Sequence, residues 1–179
     1  MTYEEVYCGE EVLKVPKPEC YGDCIKLMQS DFYRYTGKKA SFLAMLFSCH
    51  STFRLNFWLR LSSYRGWAYY FTKFMLNRTR RKTGIDIIET TRIGYGFLLN
   101  HNMSVVINPT AVIGNNVYIG PSVCIVENVS IGSNTTIGAG AVVNKNIPSG
   151  VTAAGVPAKI LNQNPHTEYI RRPWTDTQA

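Results

Sequence analysis

The chain has 179 residues, 45% of them hydrophobic, and its 19 Lys+Arg against 12 Asp+Glu give a formal net charge of +7. That length suits one good-sized domain or two small ones, and the lack of any run of 18 apolar residues argues against a transmembrane span. No nucleic-acid-binding motif accompanies the positive charge, so nucleic acid is not an expected partner.

The first twenty residues begin with the acidic Met-Thr-Tyr-Glu-Glu, which is not a signal peptide. With Pro16, Pro18 and many polar residues they read as an extended arm. Helical spacing then takes over. Ile25, Leu27, Met28 and Phe32 suit one helix ending near Thr36-Gly37. Further helices are expected over about Ser41 to Cys49, Thr52 to Ser63, and Trp67 to Lys82, the last ending at Gly84. The aromatic run from Phe57 to Phe71, flanked by Arg, is expected to pack on the rest of the chain or a neighbouring subunit. Weak contact with a membrane surface is the alternative. The run Arg78-Thr79-Arg80-Arg81-Lys82 reads as a solvated linker, or else as an attractor of a polyanion. Cys8, Cys20, Cys24, Cys49 and Cys124 are odd in number and lack zinc spacing. They read as reduced thiols of a cytoplasmic protein, with no metal site.

Beyond Gly84 the pattern changes. Ile107, Ile113, Ile119, Ile125, Ile131, Ile137 and Val143 recur every six residues, as do Ile87, Ile93 and Leu99 before them. No α-helix or ordinary strand has that period. Two positions before most beats stands a small or β-branched residue, such as Thr91, Val117 or Ala141. The residue after the beat is usually Gly or Asn, which tolerates the positive φ of a sharp corner. The expected fold is a hexapeptide β-helix of short strands and tight corners, closing one coil every three hexapeptides. The expected divisions are an arm and helical region over 1–84, the β-helix over 85–161 and a polar tail over 162–179. Pro148-Ser149-Gly150 is expected to leave the prism, Val151 to Ile160 to return as a strand, and the tail to cover the open end or a neighbour. Narrow prisms of this kind hide side surface by assembling about a threefold axis, so a homotrimer is expected.

The beat is broken once. Leu99 to Ile107 is eight residues, so two extra residues enter at Asn100-His101-Asn102-Met103-Ser104 and must loop outward. His101 is one of three histidines. A hydroxyl is a poor nucleophile at neutral pH, and a neutral imidazole is suited to take its proton. Asp86 precedes the face that begins at Ile87, one coil below the face of Ile107, and is placed to orient that base. The alternatives are a surface-loop histidine without a role and a corner Asp bonded to its own backbone.

Gly84-Ile85-Asp86-Ile87, Leu99-Asn100-His101, Val105-Val106-Ile107-Asn108, Ile137-Gly138-Ala139-Gly140-Ala141 and Ala153-Ala154-Gly155-Val156-Pro157-Ala158-Lys159 occur in this order after a helical segment. The order resembles the serine acetyltransferases and related capsule and exopolysaccharide O-acetyltransferases, over about residues 28–161. The resemblance implies a left-handed parallel β-helix, acetyl-CoA as co-substrate, a small-molecule hydroxyl acceptor, and His101 with Asp86 as catalytic pair. It places the acceptor's amino group between Asp31 and residue 100. That residue is Asn100 here, which loses the charge for an ammonium and leaves room for a sugar hydroxyl. It places CoA against Ala139, Gly140, Ala141, Ala154 and Gly155, with Lys159 suited to a CoA phosphate. The small residues also fit corner geometry alone. The family's extra coil, and the loop carrying a second histidine, are missing between Ile113 and Ile119. His50 and His166 match neither the position nor the setting of that histidine. The function expected is serine-type O-acetyl transfer; the alternatives are a polysaccharide sugar as acceptor, or a non-catalytic assembly protein that lost its active loop.

Overall fold

The computed structural model describes residues 1–48, 51–101, 104–163 and 169–175. The six-residue beat is the axis of the structure. Two-residue strands recur along it: β3 (Arg92–Ile93), β4 (Leu98–Leu99), β5 (Val106–Ile107), β6 (Val112–Ile113), β7 (Tyr118–Ile119), β8 (Cys124–Ile125), β9 (Ser130–Ile131), β10 (Thr136–Ile137) and β11 (Val142–Val143). They stack as three parallel sheets, β3-β6-β9, β5-β8-β11 and β4-β7-β10, the last continued by β12 (Thr152–Ala154) and β13 (Lys159–Asn162). Every beat residue from Ile87 to Val143 is buried. The small or β-branched residue two places earlier is buried with it, so each corner is filled from both sides.

Register shows where the rhythm breaks. From Val106 onward, stacked partners such as Val106 and Cys124, Val112 and Ser130, or Tyr118 and Thr136 lie 18 residues apart. In the first coil the interval is 20, between Asp86 and Val106 and between Leu98 and Tyr118. The extra two residues fall after β4, as expected. The last coil is shortened instead: Ile131 pairs with Ile147 and Thr136 with Thr152, 16 residues apart. Pro148 to Gly150 therefore stay within the prism, contrary to expectation. Gly150 N–H bonds the Ser133 carbonyl and Thr135 Oγ1 donates to the Pro148 carbonyl at 3.0 Å. The returning segment is not one strand. It turns at Gly155, and β13 folds back antiparallel on β12.

The glycines after the beats need a different reason from the one expected. Positive φ falls two residues further on, at Asn116, Ser122, Asn128, Asn134 and Gly140. Gly114 and Gly120 serve close stacking: a Cβ on either would sit 2.7 Å from the backbone nitrogen of Ser133 or Ala139 in the coil above.

The helices are α1 (Tyr21–Thr36), α2 (Phe42–Leu46), α3 (Ser51–Ser62) and α4 (Tyr69–Thr83). Left-handed Gly37 and Gly84 end α1 and α4, and Ser41 caps α2 by accepting the Ala44 N–H. The second helix is shorter than expected; Cys49, which was to end it, lies outside the described residues. α1 seats the bundle on the first coil. Ser30 Oγ accepts the Gly96 N–H, and Tyr35 donates to the Leu99 carbonyl at 2.7 Å.

The N-terminal arm is a hairpin, not an extended tail. β1 (Thr2–Cys8) pairs antiparallel with β2 (Glu11–Lys17) through a turn with Gly9 at positive φ. Cys8, Leu13 and Val15 pack against Val112, and the Cys8 thiol meets the carbonyls of Ser130 and Ile147, so the hairpin covers the β3-β6-β9 face. Of the distal tail, residues 169–175 are described, and they lie on the prism's side. Trp174 is buried against Tyr33, and its backbone exchanges two hydrogen bonds with the Asn116 side chain. This described segment thus clamps the prism's side.

Candidate functional site

His101 follows β4 directly. It is exposed and holds a positive φ of 71°, and Ser104, where the described chain resumes, holds 45°. Other corners also hold non-glycine residues in the left-handed region, at Asn116, Ser122, Asn128 and Asn134, so His101 is set apart by the eight-residue step and not by its φ. Asn102 and Met103 lie outside the described residues, as do His50 and His166.

The corner carrying His101 stacks on corners that matter for the cofactor reading. Asn100 N–H bonds the Ile119 carbonyl, Gly140 N–H bonds the Pro121 carbonyl, and Gly138 N–H bonds the Ala153 carbonyl. The bulge, Pro121, Ala139–Gly140 and Ala154–Gly155 therefore climb one edge of the prism, about 4.8 Å per coil. Ala139, Gly140 and Gly155 are exposed, Ala154 is half-buried, and nothing lies within 4 Å of the place a Gly140 Cβ would occupy. This edge fits a slender pantetheine arm. Ala141 does not belong to it. Its side chain is wholly buried, its N–H bonds Gly138 and its carbonyl accepts from Cys124, so it is a core residue. Lys159 is exposed on β13 and has no ion pair among the described residues.

Asp86 lies where the coil count put it. Its N–H bonds the Val105 carbonyl and its own carbonyl accepts from Ile107. Its carboxylate, 61% exposed, is held by Arg80 on α4. A cleft of about 500 Å³ opens there, lined by Asn77, Arg80, Arg81, Gly84, Ile85 and Asp86. The ideal Cβ of Gly84 stands 3.8 Å from Ser104 N, so the cleft adjoins the exit of the bulge. Sequence reading treated Arg80 as one cation of a run; its place on the last turn of α4, just before Gly84 and Asp86, was the available signal. Among the described residues, no hydrogen bond joins Asp86 to His101.

Asn100 faces the other way. Its side-chain amide donates to the Tyr118 hydroxyl at 3.3 Å, on a hollow of about 260 Å³ that Tyr169, Arg171 and Arg172 also line. Tyr118 and Tyr169 stack with centroids 4.5 Å apart, and desolvation pushes the Tyr118 hydroxyl above its ordinary pKa. Neither tyrosine was expected near the site.

Asp31, expected to hold the acceptor's amino group, does not line the site. It has no exposed surface. Arg60 donates to both of its oxygens, at 2.8 and 2.9 Å, and the Phe97 N–H reaches it at 2.8 Å. Such a carboxylate has no open side for a substrate. It ties α1 and α3 to the first coil. No group of three His, Cys, Asp or Glu among the described residues is gathered to hold a metal ion.

Residues 110–145 match the family model of the bacterial transferase hexapeptide, six repeats. The fold matches the serine acetyltransferase of Brucella abortus strain S19 with a TM-score of 0.59 and 24% identity, over 81% of this chain and 70% of that one. It matches the serine acetyltransferase of Neisseria gonorrhoeae at 0.57 and 25%, over 86% and 71%. A serine acetyltransferase solved in complex with CoA matches at 0.56 and 22%, over 78% and 68%. The chain has the serine acetyltransferase fold, with a hexapeptide repeat matched over residues 110–145. No curated protein sequence matches it. The expected left-handed β-helix and the family resemblance are both borne out. Within this fold, Ile113 runs to Ile119 in a single hexapeptide step, without an inserted coil.

Proposed function

We propose that the chain is an acetyl-CoA-dependent O-acetyltransferase in which His101 is the general base. The observation that carries this reading is the shared edge: exposed His101, just after β4, stands at the foot of the corner ladder formed by Ala139, Gly140, Ala154 and Gly155. The acceptor hydroxyl gives its proton to His101 as its oxygen bonds the acetyl carbon. Collapse of the tetrahedral adduct breaks the C–S bond, and the CoA thiolate leaves with the proton returned by the imidazolium. No acyl-enzyme is needed. Asp86 accepts from Arg80, and a carboxylate has room for a further donor. It therefore positions the His101 ring while Arg80 fixes the carboxylate.

A single prism edge cannot enclose CoA. The hairpin covers one face and the tail clamps a second, whereas Val106, Cys124 and Val142 line the third in a partly open row. That face adjoins the His101 corner. We assign it to the homotrimer interface, so that the neighbouring subunit walls the cofactor groove. The acceptor is a small hydroxyl compound. Asn100, uncharged and beside Tyr118 and Tyr169, favours a sugar hydroxyl over an amino-acid ammonium.

Calorimetry with CoA, together with thiol release measured across serine and sugar acceptors, tests the reading. Wild-type protein binds CoA and turns over at least one acceptor. Val142→Arg gives a folded monomer by analytical ultracentrifugation that no longer binds CoA. Absence of CoA binding by the wild-type protein hands the fold to a non-catalytic assembly role.

A further inference from the structure

We infer that the outer face of α2 and α4 is a docking surface for an anionic lipid bilayer. Charge is the first ground. Residues 32 to 85 hold eleven Lys and Arg and no Asp or Glu, whereas the rest of the chain holds eight basic residues against twelve acidic ones. The whole positive excess thus sits on the helical segment. Arg34 and Arg60 are buried, but Lys38, Lys39, Arg54, Arg65, Arg78, Arg81 and Lys82 are exposed.

Apolar exposure is the second ground. Tyr70, Phe71 and Phe74 lie on α4 and Trp67 stands in the turn just before it; the four are between 56% and 93% exposed. Arg78 and Arg81 continue the same stripe. Leu43 of α2 and Phe47, its C-cap, are 63% and 77% exposed. An apolar groove of about 690 Å³, lined by Phe42, Leu46, Phe57, Trp58, Leu61 and Phe71, lies between the two helices. The aromatic run does pack inward through Phe57, Trp58 and Tyr69, but Trp67, Tyr70 and Phe71 stay exposed.

An aromatic stripe beside uncompensated cations matches the interfacial region of a membrane bearing negative headgroups. The rings enter the headgroup–acyl boundary and the cations meet phosphate. A second copy of this chain is a poor occupant, because a self-contact would set two basic faces against each other. The assignment does not depend on acetyl transfer.

Co-sedimentation of the full chain with vesicles tests it. The protein should pellet with phosphatidylcholine–phosphatidylglycerol vesicles at least tenfold more strongly than with phosphatidylcholine alone, and 0.5 M salt should release it. Trp67→Ser/Phe71→Ser/Phe74→Ser changes only exposed side chains; it should lose at least tenfold of the binding and keep its CoA-thiol release on a soluble acceptor. Arg78→Gln/Arg81→Gln/Lys82→Gln should lose on the order of fivefold per charge. Equal partitioning to both vesicle types, or full binding by the aromatic variant, overturns the inference. So does a wild-type assembly that ignores vesicles and loses mass when the three aromatics are replaced, since a second copy then covers the face.

Discussion

Arg60 of α3 clasps Asp31 of α1 with two parallel hydrogen bonds, and neither side chain is open to solvent. The same guanidinium donates to the carbonyls of Ile93 and Gly94, so one residue joins two helices and the first coil. Breaking such a buried pair strands a charge. Asp31→Leu should cost about 3–5 kcal/mol in urea unfolding, and Asp31→Leu/Arg60→Met should recover much of that loss. The double variant should keep the wild-type KM for the acceptor. A raised KM with unchanged stability would return Asp31 to the binding site.

His101 is exposed, so replacing it touches activity and not folding. His101→Ala should lower kcat about 100-fold or more while the melting temperature stays within about 2 °C. The check is thiol release from acetyl-CoA at saturating acceptor. Wild-type turnover by the variant would dismiss the base.

Asp86 is 61% exposed and Arg80 23%, so solvent screens the pair from one side and its stabilising worth is about 1 kcal/mol or less. A purely structural pair would therefore leave kinetics untouched when broken. As a positioning pair, Asp86→Asn and Arg80→Gln should each reduce kcat about tenfold or more, with little change in KM for acetyl-CoA and none in unfolding midpoint. Asp86→Glu should restore part of the rate.

Glu89 links α4 to the first coil. Burial pushes its carboxyl up, but hydrogen bonds from Lys73 and Tyr69 outweigh that and hold it below the ordinary value. A depressed carboxyl stabilises the fold above the unfolded value, near 4.3, and that contribution fades as pH falls through the folded value. Thermal melts from pH 7 to pH 3 should show stability falling below about pH 4.3. Glu89→Gln should start less stable at pH 7 and lose this acid step.

Some of this was legible in the residues and some was not. Gly37 and Gly84 announced the ends of α1 and α4, because a left-handed residue closes a helix whatever surrounds it. The hairpin was missed: two short strands have little stability of their own, and theirs comes from packing Cys8, Leu13 and Val15 on Val112, far away in the chain. The corner glycines were read for φ when their task is clearance, which only stacked coils reveal. Ala141 looked like a cofactor contact because smallness serves a groove and a prism interior equally; its burial separates the two.

The β-helix itself came from the sequence alone. One inward side chain every six residues has no other way to be buried along the whole run, and an eight-residue step must eject its surplus. Partnership was decided only by the tertiary structure. Asp31 and Asp86 are both acids near basic helices, yet one is sealed against Arg60 and the other stands in an open cleft beside Arg80. Periodicity fixes which residues turn inward; which charge meets which depends on how the helices settle on the first coil.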